Sequence, residues 1–286
     1  MSAFLRADGP AAELPASIDG VLCDARTATI PMYDDGLLRG DGAFEYIRCY
    51  LGRPFTLREH MDRLDRTCAM LRLECPRELL EVELAALLAW VGPVSTDVRI
   101  VLTRGGRRLL IVEPLFTWTP ARLAFVEDTP RQVILGAKSL SYAGNMAARR
   151  RAQERGFTEA LLVTPDDRVL EVQQAVFFWV DPRGGLCTPP LSEGILDSIT
   201  RRIVIRALDL DERVCRREDA LTAREAFIGA SAREITAVAA IEDVEFEDVP
   251  GPVTREAIAA YRHAVEAELG MRPAELWGGR ARRPRR

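Results

Sequence analysis

The stretch Val133-Ile-Leu-Gly-Ala-Lys-Ser-Leu-Ser-Tyr142 carries Lys138, the single lysine of the chain. All the other basic residues among the 39 lysines and arginines are arginine. The two cations are chemically different. Guanidinium stays protonated in any protein, whereas an amine with an accessible free base attacks carbonyls and forms a Schiff base. Two readings follow: an arginine-biased composition with one chance survivor, or a lysine kept for imine chemistry with a carbonyl cofactor or substrate. The local pattern predicts a strand over 133–135 with Lys138 just beyond its end. A polar turn, Ser139-Leu-Ser141, then leads into a helix from about Asn145 to Gly156, where glycine suits the C-terminal cap. A nucleophilic lysine at that place needs a depressed pKa, which burial or nearby positive charge supplies.

Outward from this stretch the chain mixes strand and helix signals without strict alternation. Before it, β-type runs fall at 18–22, 43–50, 98–103 and 109–112. Between them, Met61, Leu64, Cys68 and Leu71 have the spacing of one helix face over 57–73, and Pro76 opens a second helix toward Trp90. The pattern breaks at Pro120. The expected division is an N-terminal domain over 1–117, an interdomain loop over 118–121 and a C-terminal domain over 122–286. Strands are expected at 123–126, 159–163, 176–180 and 226–228, and helices at 199–208 and 254–269. No G-x-G-x-x-G or P-loop is present, so a nucleotide fold has little support.

Composition narrows the class. The chain has 286 residues, 48% of them hydrophobic, and a net charge of -4. That length suits two modest domains, and the acidic balance argues against a nucleic-acid partner. The arginines from 280 onward read as a flexible basic tail starting near 279. Six scattered cysteines without a C-x-x-C pair, together with only His60 and His263, give no metal-site spacing. The opening residues have neither a secretory signal nor a membrane anchor. The expectation is a cytoplasmic protein with no metal and no membrane contact.

Three further places could carry chemistry. Glu171 ends a short apolar run, where a carboxylate could hold the proton of a pyridinium ring or simply face solvent. The segment 191–201 passes from a Pro-Pro loop into a helix. Its free N–H groups suit a phosphate, and plain capping by Asp197 or Ser198 explains them equally well. Arg63 lies on the first long helix, where a guanidinium could grip a phosphate through two donors or point outward.

In this order and spacing the segments resemble the fold-type IV pyridoxal-phosphate enzymes. That family includes branched-chain and D-amino-acid aminotransferases, (R)-amine transaminases and aminodeoxychorismate lyase. The resemblance spans about 18–238. It rests on Tyr33-Asp-Asp-Gly-Leu-Leu-Arg-Gly-Asp-Gly-Ala-Phe-Glu45, Phe55-Thr-Leu-Arg-Glu-His-Met-Asp-Arg-Leu64 and Lys138-Ser-Leu-Ser-Tyr142. It continues through Asn145, Gly156-Phe-Thr-Glu-Ala160, Val169-Leu-Glu171, Gly194-Ile-Leu-Asp-Ser-Ile-Thr-Arg201 and Ser231-Ala-Arg-Glu-Ile-Thr236.

The resemblance implies an α+β, two-domain fold: a smaller N-terminal α/β domain, a larger C-terminal domain with a β-barrel-like core, and the cofactor at their interface. It implies pyridoxal 5'-phosphate held by Lys138 as a Schiff base, with Glu171 on the pyridine nitrogen and Tyr142 beside the ring or its phenolic oxygen. Arg63, Ile199, Thr200 and Ser231 would contact the phosphate, partly through backbone N–H groups. Arg39, Phe44, Arg99 and Ala232 would face the substrate. A homodimer is implied whose sites borrow residues from the neighbouring subunit. The implied activity is ping-pong transamination between an amino acid or primary amine and a 2-keto acid. The donor would be a D-amino acid, an (R)-amine or a branched-chain L-amino acid. The alternatives are elimination of pyruvate by an aminodeoxychorismate lyase and, remotely, a non-catalytic binding protein on the same fold.

Several positions depart from the family pattern. Asp97 stands where branched-chain enzymes have tyrosine, and 103–108 lacks the Arg-x-His of D-amino-acid enzymes. Val176 replaces a frequent asparagine, Ser198 replaces a frequent glycine, and Arg39 occupies a commonly aromatic position. The expectation is that Arg39, with Arg99 or Arg107, recognises the substrate carboxylate.

Overall fold

The computed structural model describes residues 14–129 and 132–277; the basic tail expected from 279 lies outside the described residues. The first sheet takes β1 Pro15–Ile18, β2 Val21–Asp24, β3 Gly42–Tyr50, β4 Arg53–Pro54, β5 Thr96–Thr103 and β6 Arg108–Glu113. Their order is β2-β1-β6-β5-β3-β4, and every pairing is antiparallel. Three helices accompany it: α1 Asp35–Arg39, α2 Leu57–Leu71 and α3 Arg77–Val91. The expected run at 18–22 instead straddles the β1–β2 turn. Asp19 and Gly20 take φ of 52° and 88° there, and reverse the chain.

Strict alternation along β3 and β5 gives this sheet two different faces. Ala43, Ile47, Val98, Ile100 and Leu102 meet Met61, Leu64, Leu80, Leu84 and Leu87 of α2 and α3 in one core. The opposite face presents Phe44, Tyr46 and Arg48 on β3, paired with Val101, Arg99 and Asp97 on β5.

The second sheet is larger. It comprises β7 Ala121–Glu127, β8 Glu159–Val163, β9 Arg168–Val172, β10 Val176–Val180, β11 Leu186–Thr188, β12 Asp211–Glu212, β13 Cys215–Arg216, β14 Glu225–Ala230, β15 Glu234–Ile241 and β16 Val244–Glu245. The order is β12-β11-β10-β14-β15-β7-β8-β9-β13, with β16 beside β15. Far apart in that order, β9 and β10 follow one another in the chain across a short turn closed by a Val172–Ala175 bridge, so the sheet curls back on itself. Around it lie α4 Ala143–Glu154, α5 Ile199–Ala207, α6 Arg217–Leu221, α7 Pro252–Leu269 and α8 Pro273–Trp277.

Strand β10 is apolar on both faces because both are covered. Phe177 and Trp179 fill the inside of the curl with Phe125, Leu161 and Ile228. Val176, Phe178 and Val180 face outward onto α5 and α7, where Ile199, Ile203, Val204 and Tyr261 pack. Tyr50 and Phe55 of the first unit enter that outer core and tie the two sheets together. Small residues let α4 sit close on β7 and β8: Ala148 and Ala152 pack against Ala124, Ala160 and Leu162.

The strand expected over 133–135 does not form. Gln132–Ile134 is a single 3-10 turn. Three apolar residues are a weak period-2 signal, and here Ile134 and Leu135 line a cavity instead of joining a ladder. Strands β9, β11 and β15 and the short helix α1 go beyond the elements expected from periodicity. No described helix is long and apolar enough to cross a membrane, and no described cluster of histidine, cysteine, aspartate and glutamate is arranged to hold a metal.

Candidate active site

A cavity of about 760 Å³ opens between the second face of the first sheet and the curled sheet. Lys138 reaches it through an added piece of antiparallel pairing at the start of β3. Ser139 bridges Ala43, the Phe44 N–H donates to the Lys138 carbonyl at 3.0 Å, and the Leu140 N–H donates to the Gly42 carbonyl at 2.9 Å. The Lys138 N–H donates to Thr67 Oγ1 at 3.3 Å. This approach needs glycine at 42, where a Cβ would lie 2.4 Å from the Leu102 carbonyl oxygen and 2.5 Å from Leu140 Cδ1. Lys138 therefore stands beside a strand belonging to the other sheet, not at the end of its own.

The Lys138 amine lies 4.3 Å from the centre of the Phe44 ring. Burial is the largest influence on it and the Arg63 charge the next; together they lower its pKa to about 8. Glu171, on β9, lines the same cavity, and burial raises its carboxyl to about 7 against the opposing N–H of Leu196. That N–H donates to Glu171 Oε1 at 3.2 Å. The cavity thus pairs an amine of reduced basicity with a carboxyl of reduced acidity, the pattern expected where acid–base work is done.

Arg63 also lines the cavity but is held from behind. Its Nε donates to Glu45 Oε1 at 2.7 Å, its Nη2 to Glu45 Oε2 at 2.8 Å and its Nη1 to the Asp197 carbonyl at 3.1 Å. His60 Nδ1 sits 2.8 Å from Glu45 Oε2. Arg63 is therefore oriented before any ligand arrives. Glu45 is the charged residue of the core-facing alternation Ala43, Glu45, Ile47. A carboxylate at such a position needs a buried cation, so β3 already carried a signal for this pair.

Tyr142 stands edge-on to Phe44, with ring centres 5.4 Å apart. Its hydroxyl donates to the Gln173 carbonyl at 3.1 Å, and Asn145 Nδ2 donates to the same oxygen at 2.7 Å. Ser231 and Ala232 line the cavity on the turn after β14. The Ala232 carbonyl accepts from Trp118 Nε1 at 3.0 Å and also from Arg48. At the head of α5 it is Ser198, not the Ile199 or Thr200 side chain, that lines the cavity. Ser198 Oγ accepts from the Arg201 N–H, while the N–H groups of Ile199 and Thr200 have no acceptor within their own helix. Gly229 lies against that turn, where a Cβ would sit 2.7 Å from Thr200 Cγ2.

The arginines expected at the substrate divide. Arg99 lines the cavity, 5.4 Å from the Phe44 ring centre and 4.9 Å from that of Tyr46. Its Nη2 donates to Glu113 Oε2 at 3.3 Å, and the Tyr46 hydroxyl donates to the same oxygen at 3.0 Å. Arg39 does not reach the cavity of its own chain. It ends α1, pairs with Asp35 across one helical turn, and its side chain is 67% exposed. Arg107 is likewise elsewhere, 2.6 Å from Asp19 Oδ2. Asp97 is fully buried, and it accepts from Arg48 Nε at 2.6 Å. The departure at Asp97 thus supplies the counter-charge for a buried arginine.

Sequence reasoning passed over a second polar wall. Arg233 donates to Glu159 Oε1 at 2.8 Å and lies 4.1 Å over the Trp118 ring. Gln173 donates to Glu159 Oε2, and Arg149 of α4 lines the cavity beside them. The signal available in the sequence was Glu159, a charge at the head of the apolar run Ala160-Leu-Leu-Val163. Its pairing with Arg233 spans 74 residues, which spacing alone does not reveal.

Comparison with known proteins agrees with this geometry. Residues 42–241 match the model of amino-transferase class IV, and the chain belongs to that family. It is 32% identical over 252 residues to a putative branched-chain-amino-acid aminotransferase of Methanocaldococcus jannaschii, covering 79% of this chain and 87% of the relative. It is 29% identical over 290 residues to the aminodeoxychorismate lyase of Bacillus subtilis, covering 91% and 98%. Among solved structures it matches the branched-chain aminotransferase of the thermophilic archaeon Thermoproteus uzoniensis with norvaline. That match has a TM-score of 0.82, 28% identity and coverage of 90% and 96%. The fold is that of the fold-type IV aminotransferases.

Proposed function

We propose that this chain is a pyridoxal-phosphate-dependent aminotransferase whose Schiff-base residue is Lys138. The observation that carries the reading is the lone lysine on the wall of a large cavity that it shares with Glu171. The donor set suits the cofactor. Glu171, with its carboxyl raised to about 7, matches the proton of a pyridine nitrogen. Free N–H groups at the head of α5, the side-chain-free surface of Gly229, Ser231 and the pre-oriented Arg63 suit a phosphate. When bound, the cofactor supplies a carbonyl for amines and an electron sink for the substrate's α-carbon.

The remaining work falls to the chain. Lys138 Nζ, neutral in a useful fraction near pH 8, takes the proton from the substrate α-carbon. Glu171 holds a proton at its carboxyl edge, and Tyr142 with Phe44 confines the reacting plane. The keto product leaves before the keto acid enters, which gives ping-pong kinetics. The protein would act as a homodimer in the cytoplasm, with its two domains meeting around 118–121. The exposed Arg39 would serve the neighbouring subunit.

The test is the visible spectrum of the purified protein with L-leucine, D-alanine and (R)-1-phenylethylamine added separately. A yellow band bleached by one donor identifies the half-reaction and the substrate hand. Absence of any protein-bound band after adding pyridoxal phosphate and removing the excess overturns the reading. Lys138→Ala is expected to lose essentially all turnover.

A second reading, the lyase, is favoured by near full-length similarity to the Bacillus subtilis enzyme and by a cavity rich in arginine. Pyruvate released from aminodeoxychorismate without a keto-acid acceptor would decide for it.

A further inference from the structure

Among the described residues five cationic side chains line the cavity: Arg63, Arg99, Lys138, Arg149 and Arg233. Three arginines are committed to carboxylates: Arg63 to Glu45, Arg99 to Glu113, and Arg233 to Glu159. Arg149 is different. Among the described residues its guanidinium makes no hydrogen bond, and its buried Nε meets an anion only at ion-pair distance. The nearest anion is Glu159 Oε2 at 3.5 Å. Both oxygens of that carboxylate are already engaged, Oε1 by Arg233 and Oε2 by Gln173. One carboxylate therefore serves two guanidiniums, and Arg149 is left with donors to spare for an anionic ligand. Asp128, an exposed carboxylate on the same cavity, makes no ion pair with Arg149.

The position of Arg149 says which part of a ligand it would meet. Tyr142, Asn145, Met146 and Arg149 all line the cavity, the i, i+3, i+4, i+7 stripe of one face of α4. Tyr142 is at the Lys138 end of that stripe, through its contact with Phe44. Arg149 lies seven residues on, about 10 Å along the helix axis. Its guanidinium is on the Glu159 side of the cavity, 3.5 Å from Glu159 Oε2. An anion reaching Arg149 is thus displaced from the amine chemistry and belongs to the far end of a substrate.

We propose that Arg149 is a specificity-determining residue that receives the second, distal carboxylate of a dicarboxylic amino or keto acid. The proposal rests on the aminotransferase reading for its reaction, but not for its binding test. Arg99 is left to pair with Glu113 and shape the wall near Phe44.

The experiment compares two unreactive five-carbon acids, glutarate and pentanoate, which differ by one carboxylate. Each is titrated calorimetrically into the pyridoxal-phosphate-loaded wild type, Arg149→Met and Arg149→Lys. Arg149→Met is expected to weaken glutarate by about tenfold or more, the scale of a charge-assisted hydrogen bond, and to leave pentanoate within about twofold. Arg149→Lys is expected to recover part of the glutarate affinity, because it restores the charge without the two-pronged donor. Unchanged glutarate affinity, or equal weakening of both acids, overturns the proposal. Pentanoate binding also reports that each variant is folded. Failure of the aminotransferase reading appears separately, as a wild-type band that no amino donor bleaches.

Discussion

Glu45 and Arg63 meet through two parallel hydrogen bonds, Nε to Oε1 at 2.7 Å and Nη2 to Oε2 at 2.8 Å, with both side chains buried. The pair joins β3 to α2 beneath the cavity and fixes the direction of a guanidinium that faces it. Burial favours protonation of Glu45, but Arg63 and His60 overcome it and hold the carboxyl well below the usual carboxylate range.

Glu45→Gln is therefore expected to cost about 3–5 kcal/mol, the scale for removing one partner of a buried ion pair. The sign of the pH dependence follows from the depressed pKa. The contribution is complete above the unfolded value of about 4.3 and is lost as pH falls through the lower folded value. Urea unfolding of wild type and variant at a series of pH values checks this. The gap between them should be constant near neutrality and close in acid.

Because Lys138 is the only lysine, amine labelling followed by peptide mapping reads its titration directly. In the cofactor-free protein the labelling rate is expected to rise with a midpoint near pH 8. The nearby Glu171 carboxylate favours the ammonium form, so Glu171→Gln should move that midpoint lower. A wild-type midpoint near the ordinary lysine value of about 10.4 would contradict the burial argument.

Gly229 tests the head of α5. A methyl group at 229 would approach Thr200 Cγ2 to 2.7 Å, so Gly229→Ala should displace the first turn of that helix. The expected cost is about 1–3 kcal/mol for overpacking, with weaker retention of pyridoxal phosphate on dialysis. Adding Thr200→Ser removes Cγ2 and keeps the hydroxyl. The double variant should recover most of both losses, and a double variant no better than the single would show that the clash is not the cause.

Thr67 accepts the Lys138 N–H from α2. Thr67→Val keeps the volume and removes the acceptor. Stability should fall by about 0.5–1.5 kcal/mol, the net worth of one ordinary hydrogen bond. Turnover per folded molecule should fall as well, because the backbone carrying the amine loses its tether. Thermal unfolding and steady-state kinetics on the same preparations separate the two effects.

The sequence by itself determined the long elements and the chemical suspects. Helix α2, strands β3, β8 and β10 and the head of α5 follow from local periodicity, capping and β-branched or aromatic runs, which act over a few residues. Lys138, Glu171 and Arg63 stood out because their side-chain chemistry is unusual or well placed in a motif. Tertiary structure alone decided which suspects meet. It laid Lys138 against β3 and replaced the expected strand at 133–135 by a turn. It turned Arg39 and Arg107 away from the cavity and brought Arg149, Arg233 and Glu159 to its wall. The physical reason is range. Periodicity records which face of an element is covered, whereas a charge inside a cavity takes its partner from wherever the packed sheets bring one, here from residues tens to more than a hundred positions away.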